Sequence, residues 1–461
     1  MLEIFDSHAH LSKEFFEDIS EVVQRARKAN VNEIVTVGSS SNPAVMEEAI
    51  EVASTFEGVY AAIGIHPHEA QSATDKTFSA LEALLGHEKV VAVGETGLDF
   101  HYNFSSKESQ IEVFKRQIAI ARDRGFPIVV HCRDAHEECL GILSEVASQV
   151  KGVIHCFTGD LETARRYVGL GFFVSIPGVV TFRNAGALKE TVKGLLVERM
   201  LVETDSPYLS PEPMRGKRCE PAYVRYTVQA IASIKGLSLE DVARITTLNA
   251  RRLFGLSSGD YAQPKITYGI RDSLYINVTN RCTLHCTFCG KFRDFYVKGH
   301  NLRMKKDPSA QEICEALQNE NLERYKEVVF CGYGEPLLRL DVVKEVAKWL
   351  KERGKKVRVN TDGLANLVHK RNCLEELRGL VDEISVSLNA QDAKTYARYC
   401  RSRYGEQAFQ AVLDFIQEAK KIIPQVVATV VTLPDVDIEA CRRLALGLGV
   451  AFRVRPLDDI G

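Results

Sequence analysis

Cys282-Thr-Leu-His-Cys286-Thr-Phe-Cys289 sets three cysteines at CxxxCxxC spacing, directly after a β-type run at residues 273–279. Three thiolates on one short loop can hold three irons of a [4Fe-4S] cube and leave the fourth open to a small chelating cofactor. The same spacing serves a zinc ion if a fourth donor is found, and His285 inside the loop is the candidate. The loop also divides the chain. The residues before it read as one complete enzyme domain, and those from it onward read as a second.

The length of 461 residues, with 45% hydrophobic and 26% charged, allows two large cores. No apolar run approaches the roughly 20 residues that cross a bilayer, and the start Met-Leu-Glu-Ile-Phe-Asp has no signal-peptide pattern. A cytoplasmic protein with no membrane partner is expected. Its twelve cysteines then read as thiols, cluster ligands or core residues rather than disulfides. The net charge of -2 hides an asymmetry: residues 1–260 carry 27 Lys+Arg against 35 Asp+Glu, and the rest carry 32 against 26. An acidic first half argues against a broad basic surface for nucleic acid, but not against a pocket for one phosphodiester beside bound cations.

Eight strand-like runs recur in the first half, at 3–10, 32–39, 58–66, 90–98, 127–131, 152–156, 171–176 and 199–204, with helical patterns between them. That alternation means parallel strands with crossovers, at the size of a TIM barrel. The polar punctuation falls at the carboxyl ends of the strands, as Asp6-Ser-His8-Ala-His10, His66-Pro-His68, Glu95-Thr-Gly-Leu-Asp99, His131-Cys-Arg133, His155-Cys and Glu203-Thr-Asp205. In a barrel those ends open onto one face, where active sites of this fold lie. His8 and His10 alternate on their strand and so point the same way, as two imidazoles on one metal must. Histidines and carboxylates converging on such a ring suffice for two divalent ions that activate water and clamp a displacement.

With the signatures DSHAHL, GIHPH, VGETGLDF, HCRDA, HCFTG and ETDSPYL, residues 1–256 resemble the TatD family of metal-dependent deoxyribonucleases, among the amidohydrolase-like barrels. The resemblance implies one ion (Mg, Mn or Zn) on His8, His10 and Asp205, a second on His131 and His155, and Glu95 bridging them. Asp205 would also orient or deprotonate the attacking water, so Asp205 and Glu95 are the expected catalytic pair. His66, His68 and Arg133 would touch the scissile phosphate, Arg133 through two oxygens at once. Glu203 would support a ligand rather than be one, and Asn249 in the closing helix reads as a packing residue.

A linker is expected at 257–272, followed by a second domain at 273–461 with strands near 273–279, 327–332, 356–360, 383–388, 425–432 and 451–455. Six repeats suggest an open barrel. With the cysteine loop and Cys331-Gly-Tyr-Gly334-Glu335-Pro336, this half resembles the radical S-adenosylmethionine (radical SAM) superfamily. The resemblance implies a [4Fe-4S] cluster on Cys282, Cys286 and Cys289, and S-adenosyl-L-methionine on the open iron. Phe288 would lie near its adenine, Gly334 and Glu335 at its amino group, and Ser387 and Asn389 at its ribose. An electron donor such as flavodoxin or ferredoxin would reduce the cluster.

The expected fold is thus α/β, a closed (βα)8 TIM barrel followed by a partial (βα)6 radical SAM barrel. The expected activity is bifunctional, joining two-metal hydrolysis of phosphodiesters in DNA to radical chemistry on a substrate the sequence does not disclose. Two other readings remain open. In one, the barrel hydrolyses a small-molecule amide, ester or phosphoester linked to the radical reaction; in the other, the cluster is a redox sensor that regulates the hydrolase.

Overall fold

Every residue of the first strand, β1 (Ile4–Ala9), is buried, as expected of a parallel strand covered on both faces. Seven more follow: β2 (Val31–Ser39), β3 (Val59–Gly64), β4 (Val90–Asp99), β5 (Ile128–Arg133), β6 (Gly152–Ile154), β7 (Phe173–Ile176) and β8 (Met200–Val202). In this computed structural model, which describes residues 2–102 and 104–457, they form one parallel sheet in sequence order. The ends of the sheet meet. Ala9 bridges Ser206, the His10 N–H donates to Ser206 O at 2.7 Å, and the Asp205 N–H donates to His8 O at 2.9 Å. The expected eight-stranded barrel is therefore present.

The helices between the strands carry the end signals their sequences supply. Asp18 accepts from Glu21 N–H to cap the helix Ile19–Lys28, which turns Val22, Val23 and Ala26 inward. Inside the barrel Phe5, Val35, Val37, Ala62, Val91 and Val129 fill the end away from the polar rim. Phe254 closes that end, its ring 5.9 Å from Phe5. Asn249 is the packing residue the sequence suggests: its Nδ2 donates to Val197 O at 3.0 Å and Met200 O at 2.9 Å.

The chain divides into two compact units at Ser258 and Gly259. The second is built on a seven-stranded sheet. It contains β9 (Thr267–Ile270) and β10 (Ser273–Ile276), then, after a small hairpin of β11 (Tyr296–Val297) and β12 (His300–Asn301), the strands β13 (Glu327–Phe330), β14 (Val357–Thr361), β15 (Glu383–Ser387), β16 (Gln425–Val431) and β17 (Ala451–Arg455). The order is β17-β16-β15-β14-β13-β10-β9, with all neighbours parallel except the antiparallel pair β9–β10. Six parallel strands in an open sheet match the expected partial barrel.

The expected linker at 257–272 is corrected in part. Its second half is β9, held because Tyr268 is 3% exposed, stacks on Tyr275 at 5.2 Å, and donates its hydroxyl to Cys331 O at 2.9 Å. Residues 458–461, the end of the second expected domain, lie outside the described residues. No helix among the described residues is long and apolar enough to cross a membrane.

Candidate functional site

Glu95 reaches the barrel mouth because its strand is interrupted there. In the β4–β5 ladder Gly94 pairs with Val129 and Thr96 with Val130, so Glu95 is the extra residue of a bulge, a device that re-aims a side chain. At Gly97, where φ is +140°, a Cβ would stand 2.1 Å from the His131 carbonyl oxygen, so the close approach of β4 to β5 requires glycine. Two buried amides on the helix Lys107–Arg124 fix the strand ends from behind. Gln117 accepts from Ile65 N–H at 2.8 Å and donates to Thr96 Oγ1 at 2.6 Å, while Gln110 accepts from Asp99 N–H at 2.8 Å and donates to Asp99 O at 2.9 Å. They sit seven residues apart on one helix face, and between them they position His66, Glu95 and Asp99.

The carboxylate stands among four imidazoles. Glu95 Oε1 lies 2.7 Å from His131 Nδ1, 2.7 Å from His155 Nε2 and 3.4 Å from His66 Nε2, and Oε2 lies 3.7 Å from His8 Nε2. On the His8 side, the Nε2 atoms of His8 and His10 are 3.3 Å apart, with Asp205 Oδ1 3.7 and 3.6 Å from them. On the other side, His131 Nδ1 and His155 Nε2 are 3.2 Å apart.

Such spacing fits cations. Nitrogens bound at about 2.1 Å around one tetrahedral ion lie about 3.4 Å apart, and the groups His8–His10–Glu95, His8–His155–Asp205 and His66–Glu95–His131 each keep their donor atoms within 4.8 Å. The nitrogen and carboxylate set suits divalent metal ions. Asp205 reaches inward from a left-handed turn, φ 56°, a conformation aspartate tolerates better than most side chains.

Burial opposes charge throughout the site. It holds His8 well below the usual imidazole value, with His155 adding repulsion, and it lowers His66. Burial would raise Glu95 too, but His155, His66 and His131 keep that carboxylate well below its ordinary range. His131 and His155 are raised against burial, the first by Asp99 and Glu95 and the second by Glu95 and Glu203; Asp205 likewise raises His10 against burial. Protons therefore compete with cations for these nitrogens, so metal affinity rises with pH until the imidazoles are neutral.

Around this centre the other expected residues divide. His66 stands within the donor set itself. His68 is turned aside: its Nε2 is 2.9 Å from Asp99 Oδ2. Arg133 is exposed, its guanidinium 4.7 Å over the Tyr102 ring. Glu203 is buried, accepts from Cys156 N–H, and lies 3.6 Å from His155 Nδ1. Asp99, to which sequence reasoning assigns no role, lies 3.1 Å from His131 Nε2 through the oxygen that also faces His68. It fixes the ring so that Nδ1 faces the centre.

The model of the TatD-related DNase family matches residues 5–255, and that of the radical SAM superfamily matches residues 276–446. The chain belongs to the TatD-related DNase family. Its TatD-like half is 45% identical over 256 residues to the metal-dependent hydrolase YabD of Bacillus subtilis (strain 168), covering 55% of this chain and 100% of that one. It is 36% identical over 260 residues to the 3'-5' ssDNA/RNA exonuclease TatD of Klebsiella pneumoniae (strain 342), covering 55% of this chain and 98% of that one. The fold is that of the TatD homologue YJJV of Escherichia coli K12, at TM-score 0.51 and 24% identity, over 55% of this chain and 98% of that structure. The protein therefore joins a TatD-type metal-dependent hydrolase domain to a radical SAM domain.

In the radical SAM half the three loop cysteines are half-buried. The loop docks on the end of the helix Ala393–Cys400, where His285 N–H donates to Cys400 O at 3.1 Å and Thr287 N–H to Tyr399 O at 2.9 Å. His285, the fourth donor of the zinc alternative, stacks on Phe292 at 4.1 Å. The glycine turn abuts the same loop: a Cβ on Gly334 would stand 2.1 Å from Thr279 O and 2.6 Å from Arg281 O. Burial raises the thiols of Cys282 and Cys289; Cys286 is raised first by its bond to Cys400, a neighbour the sequence does not single out. Three thiols on one loop, half-buried and costly to ionise unaided, suit a cationic cluster that takes them as thiolates.

Glu335 is 2% exposed, and its oxygens are already engaged, accepting from Leu337 N–H (2.9 Å), Thr361 Oγ1 (2.9 Å) and Asp362 N–H (2.6 Å). Its carboxylate supports the turn from beneath. Phe288 packs at the margin of the second core. Ser387 is half-buried at the end of β15. Asn389 turns its Nδ2 to Cys400 Sγ, 3.9 Å away, leaving Oδ1 buried and unpartnered.

Asp99→Asn should keep the fold and lower divalent-ion affinity on the order of 10- to 100-fold, read by calorimetric titration of Mn²⁺ into the chelator-treated protein. Unchanged affinity would show that Asp99 does not orient His131.

Proposed function

We propose that the first half cleaves phosphodiester bonds in single-stranded nucleic acid at a two-ion centre, and that the second half carries out a separate radical SAM reaction. The hydrolytic reading is carried by one observation, the division of Glu95 between two donor groups: Oε1 toward His131 and His155, Oε2 toward His8. His8, His10 and Asp205 would hold one ion and His131 and His155 the other. Ions there supply Lewis acidity to the phosphate and lower the pKa of water. Asp205 Oδ1, within 3.7 Å of both His8 and His10, accepts the proton of the attacking water, and the exposed Arg133 grips the phosphate oxygens.

Exposed aromatics favour nucleic acid over a small phosphoester. Tyr102, Phe104 and Tyr208 are 48%, 66% and 51% exposed, and all lie against the site: Phe104 is 4.8 Å from the His68 ring and Tyr208 6.1 Å from the His10 ring. Tyr102 and Phe104 stack on each other at 5.6 Å. Rings placed this way offer faces to unstacked bases on either side of a cut, independent of sequence. The similarity to a relative named for single-stranded DNA and RNA cleavage points the same way. The acidic balance of residues 1–260 favours the small-molecule alternative.

In the second half, S-adenosyl-L-methionine on a [4Fe-4S] cluster held by Cys282, Cys286 and Cys289 would supply a hydrogen-abstracting carbon radical. The chain's own part is to seat the cysteine loop against the Gly334 turn and Cys400 and to exclude water. Reduced surroundings suit it, since all twelve cysteines are free, which supports a cytoplasmic setting with a flavodoxin or ferredoxin as electron donor.

With Mg²⁺ or Mn²⁺ the protein should degrade a single-stranded oligonucleotide, and Glu95→Ala should abolish this. Replacing Phe104 by Ala should raise KM for the oligonucleotide about tenfold, at roughly 1–3 kcal/mol per stacked base, while leaving hydrolysis of bis(p-nitrophenyl) phosphate unchanged. Cleavage of the small diester with intact oligonucleotide would favour the small-molecule reading. Anaerobic reconstitution with iron, sulfide, dithionite and S-adenosylmethionine should yield 5′-deoxyadenosine, and Cys286→Ala should yield none; equal yields would refute the radical assignment.

A further inference from the structure

The two faces of the second sheet differ in chemistry. Alternation sends Ile276, Phe330, Val357, Val359, Ile384 and Val386 into the core beneath the helices, so their neighbours point the other way. On that face the register sets Arg358 opposite Glu383, Asn360 opposite Ser385, and Ser387 opposite Thr429, which in turn faces Arg453. A buried parallel sheet is ordinarily apolar. Here three polar atoms in neighbouring positions have no partner: Arg358 Nε, Asn360 Oδ1 and Ser385 Oγ. Arg358 is 8% and Ser385 4% exposed. Each unsatisfied buried group is destabilising, so a row of them marks a place where a ligand completes the bonds.

The charge on this face is unbalanced as well. Its acids are Glu327 and Glu383. Glu327 is 3.0 Å from Arg358, and Glu383 is shared by Lys356 at 3.0 Å and Arg453 at 3.3 Å. Arg455, two residues beyond Arg453 on the same face, has no ion-pair partner among the described residues. It belongs to the outermost strand, yet it lies near enough to act on the Cys331 thiol at the end of β13: burial raises that thiol, Asn360, Arg455 and Arg358 oppose the rise, and Glu335 adds to it. The sheet is therefore curled until its last strand faces its earlier ones, as twisted parallel sheets do. Arg358, Asn360, Ser385, Cys331 and the exposed Arg455 therefore lie on one face of the curled sheet, and the space before that face has surplus positive charge.

We propose that this space binds a small polar substrate through an oxyanion, a carboxylate or a phosphate. Arg455 supplies the charge, Arg358 Nε–H and the Ser385 hydroxyl donate, and Asn360 Oδ1 accepts from a hydroxyl or amine on the same molecule. The proposal rests on the radical SAM reading of the second half and names the class of substrate that half would take.

Cys331 reports on the space without any need for the cluster. The full-length protein is alkylated with iodoacetate or iodoacetamide, and the modified peptides are quantified by mass spectrometry, with half-buried Cys314 as internal control. Arginines facing Cys331 should favour the anionic reagent there about tenfold over its preference at Cys314. Arg455→Gln should remove most of that preference, and inorganic phosphate or malonate should slow carboxymethylation of Cys331 but not of Cys314. Protection by phosphate alone assigns a phosphoryl group, by malonate alone a carboxylate, and by both an oxyanion of either kind. Equal reagent preference at the two cysteines, or a preference unmoved by Arg455→Gln or by either anion, overturns the proposal. If Cys331 resists both reagents, thermal melting decides. With chelator present to empty the barrel, phosphate or malonate should raise the midpoint of the parent protein by ~2–4 °C more than that of Arg455→Gln, and equal shifts with both anions overturn the proposal. No anion preference at Cys331 in the parent protein, with 5′-deoxyadenosine still formed, refutes the anion site alone; absence of 5′-deoxyadenosine refutes the reading beneath it.

Discussion

One carboxylate, Glu95, shared among imidazoles brought from several strands, is the interaction on which the hydrolytic half depends. Four histidines within 3.7 Å of a buried acid would be a poor arrangement if the nitrogens had only one another to bond. Their protons repel, burial penalises every charge, and a single carboxylate cannot neutralise all of them. Divalent cations resolve the conflict by replacing several protons at once, which is why this cluster reads as a metal centre and not as a set of core histidines. The barrel exists to hold that conflict in place. Its closure joins His8 and His10 to Asp205 across the seam between β1 and β8, the bulge at Glu95 turns the acid inward, and two glutamines clamp the strand ends from behind.

The second half applies related physics to softer ligands. Its cysteine loop is located by backbone contacts and by the Thr283 hydroxyl, which donates to Asp362: the Gly334 turn presses against 279–281 from one side, and the helix ending at Cys400 offers its last carbonyls from the other. Glu335 and Asp362, buried beside each other, tie the turn to the end of β14. Burial and repulsion from Asp362 hold Glu335 well above its ordinary value, and burial raises Asp362, so the pair favours keeping a proton. The acid expected at a cofactor thus serves as a brace for the loop that would hold it.

Much of this is legible in the sequence because parallel strands place function at their carboxyl ends. The positions of His8, His10, Glu95, His131, His155 and Asp205 at successive strand ends are enough to foresee a ring, and the structure brings all six together. The rest is hidden for physical reasons. Asp99 is visible as a strand-end acid, but its pairing with His131 depends on the one-residue offset that the bulge at Glu95 introduces into the β4–β5 ladder, and no periodicity announces a bulge. Strand β9 reads as a linker because Gly269 interrupts its apolar alternation and Pro264 precedes it; only burial of Tyr268 makes it a strand. For Glu335, sequence gives an acid after a tight turn but not which way its side chain goes. The polar face of the second sheet escapes sequence reasoning because Arg358, Asn360 and Ser385 are each unremarkable alone and meet only through the register.

The central claim is that Glu95 bridges two ions, and anomalous diffraction from crystals grown with Mn²⁺ tests it most directly. The account predicts two peaks about 3.5–4 Å apart, one against His8, His10 and Asp205 and the other against His131 and His155, with a Glu95 oxygen on each. A single peak, or two peaks with Glu95 bound to only one of them, would contradict it.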